Sequence, residues 1–198
     1  MDLPVFTLHT VLYPGQRLHL QVFEDRYLQM MEDVLPRGPF AIAAIRHGQE
    51  VGGPADPFRV GVSVTVDDYT FEENGTYELD VVADERIRLV SLVGTEPYTV
   101  WRTELFPDGG GLSDDDLDAA IAAWARFVDV AGAMPEVEFI ADDPVTASYA
   151  LASAVPALIP ERQAFLEIAG AGQRVRRVRE ALRKETALLR ALRERRES

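Results

Sequence analysis

Few residues in this chain could carry covalent or metal chemistry. It has 198 residues, with three histidines (His9, His19, His47), a single lysine (Lys184) against 19 arginines, and no cysteine. Without cysteine there is neither a disulfide nor a thiolate nucleophile. A Walker-type phosphate loop needs a lysine after glycines, but Lys184 follows Arg183 in a basic helical stretch. The same lysine is the only one that could serve a Ser-Lys dyad or a Schiff base, and no G-x-S-x-G nucleophile elbow occurs. His9 and His19 could share a sheet face, yet two histidines without a third ligand are ordinary strand residues. The run Asp114, Asp115, Asp116, Asp118 lacks the spacing of a calcium loop and suits the first turn of a helix, where acids are favoured. Acid pairs such as Glu72-Glu73 are too common in so acidic a chain to indicate glycosidase chemistry. The expectation is a protein with no catalytic residue, no metal and no cofactor.

Charge restricts the partners. The net charge is −13. Residues 1–111 hold 18 acids and 8 bases, residues 112–170 hold 11 and 2, and residues 171–198 hold 4 and 10. Only the last segment could attract nucleic acid. No apolar run is long enough to span a membrane, and no secretory signal is visible. A cytoplasmic protein is expected.

The spacing of apolar residues divides the chain into a strand-rich and a helical half. Leu18, Leu20 and Val22 alternate with polar neighbours, as do Val60 to Val66, Leu79 with Val81, and Ile87 with Leu89. Asn74-Gly75 predicts a two-residue hairpin. One helix interrupts over Glu24–Leu35, with Tyr27, Met30, Met31 and Val34 on one face and Pro36 after its end. After Gly109–Gly111 the pattern turns helical. Ser113 with Asp116 resembles a capping box, Leu117, Ile121, Trp124 and Val128 form a stripe, and Gly132 suits a C-cap. Asp143-Pro144 predicts a capped start, Pro156 a stop, and Pro160 a further short helix ending at Gly170. A last helix carries Val175, Val178, Leu182, Leu189 and Leu192 on one face. Two domains are expected, a β-rich one over 1–108 and an α-helical bundle over 112–198.

The hairpin carries the chain's most conspicuous surface candidates. Continuing the alternation of Val60–Val66 puts Tyr69 and Phe71 on the outer face. A two-residue loop pairs them with Asp80 and Glu78, giving an aromatic patch beside acids that suits a polypeptide. The other reading is a β-bulge near Asp67-Asp68, which would flip the phase and bury both aromatics.

The opening Leu3-Pro4-Val5-Phe6-Thr7-Leu8, the turn Tyr13-Pro14-Gly15 and the run Phe23-Glu24-Asp25-Arg26-Tyr27 closely resemble the N-terminal domain of Lon proteases. Arg86-Ile87-Arg88, Glu96-Pro97-Tyr98 and Gln163 to Glu167 resemble its later segments in the right order. Thr7, Tyr13 and Ala83 depart from the family's usual proline, phenylalanine and glycine. The resemblance implies an α+β fold, with an N-terminal β-rich, PUA-like pseudo-barrel followed by a C-terminal helical bundle. A full Lon protease continues into an ATPase and a Ser-Lys peptidase, and this chain stops before both. It looks like a stand-alone substrate-binding domain, a non-enzymatic module for unfolded or exposed apolar polypeptide segments, with a separate protease or ATPase as a further partner. The signature residues Pro14, Gly15, Phe23, Glu24, Arg26 and Tyr27 then read as structural, with Glu24 at a helix entry and Arg26 in an ion pair. The alternative is a PUA-like nucleic-acid-binding protein using the basic C-terminal helix. Against it stands the simpler reading of that helix, an amphipathic element with solvated arginines. A self-contained hydrolase is disfavoured by the missing motifs.

Overall fold

A computed structural model describes residues 1–35, 38–52, 55–132 and 143–197. The expected stop at Pro36 lies outside the described residues, as do Gly53 and Pro54 of the Gly52-Gly53-Pro54 run, whose composition predicts a turn. The chain divides into two compact units, Met1–Pro107 and Asp108–Ser198. The first holds β1 (Asp2–Leu8), β2 (Arg17–Val22), α1 (Asp25–Val34), β3 (Phe40–Gly48), β4 (Ala55–Pro57), β5 (Val60–Phe71), β6 (Tyr77–Gly94) and β7 (Val100–Leu105). The second holds α2 (Asp114–Ala131), α3 (Pro144–Ala154), α4 (Ile159–Glu167) and α5 (Ala171–Glu197). The α+β expectation, strands first and helices after, is met.

In the first unit the strands run β1-β7-β6-β5-β3, and a parallel pairing of Val5–Leu8 with Ala41–Ala44 joins β1 back to β3. The ring is thereby closed, which removes most open edges. The 18-residue β6 organises it. Along one side it pairs with β5; along the other it pairs first with β2 and then with β7. Register shifts between Val62 and Val64 and between Val66 and Asp68 supply the curvature that closure needs. Gly61 allows β5 to pass close to β3, since a Cβ there would lie 2.4 Å from the Ile42 carbonyl oxygen. Leu3, Val5, Ala41, Ala43, Ile87, Leu89 and Trp101 form one buried cluster inside. Tyr27, Met30, Met31 and Val34 of α1 are buried, the face that helical spacing predicts.

In the second unit the caps follow the sequence. Ser113 accepts the Asp116 N–H, Asp143 accepts those of Val145 and Thr146, and Gly132 closes α2 at φ 89°. The buried stripe of α2 is displaced from the expected one. Ala120, Ala123, Trp124, Phe127 and Val130 are buried, whereas Leu117, Ile121 and Val128 are half-buried. Periodicity locates the large residues; here the small alanines face inward because they let neighbouring helices approach. In α5, Val175, Val178 and Leu182 are fully buried, but Leu192 is exposed. Gly109, expected in a linker, instead forms a β-bridge with Gly170 inside the second unit.

Candidate functional site

The Phe23–Tyr27 run shapes two cavities at the entry of α1. Glu24 is the N-cap residue, but its carboxylate does not cap the helix. It accepts the Gly52 N–H at 3.0 Å and pairs with Arg26 at 3.1 Å. Arg26 also donates to the Glu50 carbonyl and lies 4.5 Å over the Tyr27 ring. Tyr27 is buried, stacks on Phe6 at 4.0 Å, and its hydroxyl meets Thr7 Oγ1 at 3.0 Å. Thr7, where the family has proline, thus provides a hydrogen-bonding partner. Gly15, at φ 84°, forms a bulge in which its N–H donates to the Ala83 carbonyl while the Ala83 N–H donates to Gln16. Pro14 and Gly15 set the start of β2.

The first cavity, about 310 Å³, is bordered by every residue from Leu18 to Phe23, with Leu8, Tyr27 and Val51 among its other walls. Phe23 and Val51 are 51% and 53% exposed. A second cavity of about 440 Å³ lies against Arg26, Tyr27, Arg59 and Trp101, with the Arg59 guanidinium 4.3 Å over the Trp101 ring. Tyr27 lines both. Sequence reading assigned Phe23 to structure alone and missed Val51, which belongs to no periodic segment.

The hairpin differs from expectation in register. Glu72 pairs with Thr76, Gly75 donates to the Glu72 carbonyl, and Gly75 sits at φ 84°. The loop is therefore three residues closed by a glycine bulge, not two. Phe71 stands opposite Tyr77 and Tyr69 opposite Leu79. The predicted pairing with Glu78 and Asp80 is thus corrected: those acids lie on the opposite face of β6. The bulge near Asp67 exists and does flip the phase, placing both aromatics on the same face as buried Leu79 and Val81. They nevertheless stay 52% and 59% exposed, because the hairpin tip runs past the core. Tyr77 joins them, 4.7 Å from Phe71, and stands opposite Val22 of the first cavity.

Glu78 and Asp80 instead hold His19, opposite them on β2. Its Nδ1 lies 2.9 Å from Asp80 and its Nε2 2.8 Å from Glu78. These bonds, Asp80's first, raise the His19 pKa above its ordinary 6.5. A raised native pKa stabilises the fold fully below about pH 6.5, and that contribution is lost as pH climbs through the native value. NMR titration should place His19 above 6.5, and Asp80→Asn should bring it back down; an unshifted His19 would refute the contact. His9 pairs with Glu50 at 3.0 Å. Among the described residues no cluster of metal-binding side chains occurs.

Several cations of the basic helix are engaged within the second unit, while Arg183, Lys184, Arg190, Arg193 and Arg195 are exposed. Arg174, expected in solvent, is fully buried. Arg176 and Arg179 pair with Asp116 at 2.7 and 3.8 Å, which also accounts for one acid of the Asp114–Asp118 run. Among the described residues, no helix is long and apolar enough to cross a membrane.

Comparison with known proteins places this arrangement. A family model described as the ATP-dependent protease La (LON) substrate-binding domain matches residues 2–184. Lon protease 2 of Syntrophobacter fumaroxidans is 28% identical over 166 residues, 80% of this chain and 21% of that protein. Lon protease 2 of Herpetosiphon aurantiacus is 23% identical over 96% of this chain and 24% of its own. The chain thus spans about a quarter or less of these curated relatives. A Lon N-terminal domain protein from Xanthomonas campestris shares the fold at a TM-score of 0.71 and 22% identity, over 90% of this chain and 96% of that one. The N-terminal domain of a Mycobacterium avium complex Lon protease does so at 0.66 and 13%, over 92% and 98%. With its family model running from residue 2 to residue 184, the chain belongs to the Lon substrate-binding domain family.

Proposed function

We propose that this chain is a non-enzymatic module that binds exposed apolar segments of other polypeptides. The observation that carries the reading is the apolar opening of the first cavity. Phe23 and Val51 stand exposed at its mouth, and Val22 leads across β6 to Tyr77, Phe71 and Tyr69. Large apolar groups grouped on an acidic surface favour binding by burial. The binding residues are then Phe23, Val51, Tyr69 and Phe71, while Glu78 and Asp80 serve β2 through His19. A separate protease or ATPase would act on what is bound. The ion pairs of Arg176 and Arg179 and the burial of Arg174 weigh against a nucleic-acid role for α5.

The double change Tyr69→Ser with Phe71→Ser tests the patch. Exposed substitutions leave stability within about 0.5 kcal/mol each. Loss of two aromatic anchors should weaken binding of a reduced, unfolded reporter protein by about 2 kcal/mol, roughly 30-fold. Anisotropy titration beside thermal denaturation reads both. Unchanged binding by this variant and by Phe23→Ser would overturn the proposal.

A further inference from the structure

The first cavity runs along a strand edge, and this says how a polypeptide would lie in it. β2 pairs with β6 on one side only; among the described residues no other backbone hydrogen bond reaches Arg17–Val22. The alternation of an antiparallel ladder, counted from the Gly15–Gln16 bulge against Ala83, turns the N–H and C=O of Leu18, Leu20 and Val22 toward β6. Those of His19 and Gln21 turn to the open edge. All four residues His19 to Val22 border the cavity, as do Leu18 and Phe23. Unpaired strand edges are templates for another strand. Across the gap stand Phe6, Thr7 and Leu8 of β1, so an entering strand would meet apolar side chains on its far side.

We propose that the bound segment adds to β2 as an antiparallel or parallel strand, its backbone bonded to His19 and Gln21 and its alternate apolar side chains directed into the cavity. This rests on the polypeptide-binding reading above and specifies its geometry: main-chain bonds supply affinity, and alternate pockets supply preference. The occupant is an extended segment with apolar residues at every second position and basic residues at its ends. The charge preference follows from residues 1–111, which hold 18 acids against 8 bases, and from Glu24 and Glu50 at the cavity wall.

The test uses the full chain and a labelled ten-residue peptide of alternating leucine and threonine, flanked by two arginines at each end. Two further versions carry N-methyl groups, one on every leucine amide and one on every threonine amide. A strand on an edge uses alternate amides, so one methylated peptide should bind about tenfold or more weakly, from two or three lost hydrogen bonds, while the other binds as the parent. Binding of the parent should slow hydrogen exchange at the His19 and Gln21 amides. Glutamate in place of the flanking arginines should weaken binding, more so at low salt. If both methylated peptides bind like the parent, or both lose equally, strand addition is overturned while the cavity remains the site. If Phe23→Ser with Val51→Ser leaves parent binding unchanged, the cavity itself fails.

Discussion

Replacing Arg174 with alanine is expected to destabilise the helical unit by about 3–5 kcal/mol, the cost of breaking a buried ion pair from one side. Arg174 is fully buried, and its guanidinium serves several acceptors at once. It pairs with the Asp108 carboxylate, donates to Ser148 Oγ at 2.6 Å, to the Tyr149 hydroxyl at 3.1 Å and to the Ile168 carbonyl at 3.0 Å. Its Nε reaches the Phe165 carbonyl, and the group lies 3.8 Å over the Tyr149 ring. Tyr149 in turn donates to Asp108. Alanine would take the guanidinium away from the Asp108 carboxylate and from the Phe165 and Ile168 carbonyls, and leave a cavity besides. Lysine cannot serve the same set, because a compact ammonium lacks the planar fork. The double change Arg174→Met with Asp108→Asn should cost less than the sum of its parts, since the two groups couple. Urea titration followed by Trp124 fluorescence, in a Trp101→Phe background, reports on this unit alone. A shift under 1 kcal/mol for Arg174→Ala would show that the hub is dispensable.

The second large effect is expected at Tyr27. Truncation to alanine removes a buried ring stacked on Phe6 and lying under Arg26. Such a loss costs about 3–5 kcal/mol, and more where the void cannot collapse. Because Tyr27 stands between two cavities, the variant would also merge their walls. Tyr27→Phe removes only the hydroxyl and leaves Thr7 Oγ1 without this partner, about 1 kcal/mol. Denaturation read through Trp101, with Trp124→Phe, separates the two. If polypeptide binding survives in Tyr27→Phe and falls in Tyr27→Ala only as far as unfolding explains, Tyr27 is a structural residue of the site. A stable Tyr27→Ala protein would contradict the packing described.

Local chemistry made much of this fold legible in the amino-acid sequence. Alternation located β2, β5 and β6, because a strand with one buried face repeats every two residues. Asp143-Pro144, Ser113 and Gly132 marked helix ends, because capping is decided within a few residues. The Phe23–Tyr27 run carried the family resemblance, since the turn into α1 constrains its own residues tightly. Charge segregation, the single lysine and the absence of cysteine narrowed the chemistry without any structure.

What only the tertiary structure decided is whatever depends on residues far apart in the chain. The hairpin register turned on a three-residue loop and on a bulge at Asp67, and a single inserted residue reverses which face Tyr69 and Phe71 share. Their exposure depended on where the core ends, which no local pattern encodes. Arg174 looked like its neighbours in a basic helix; Asp108, 66 positions away, and the carbonyls around it make it a buried hub. His19 acquired its carboxylates only by pairing β2 with β6. The first cavity and the open edge of β2 arise because β6 is long enough to hold two different strands along one side, a consequence of ring closure that no single segment states.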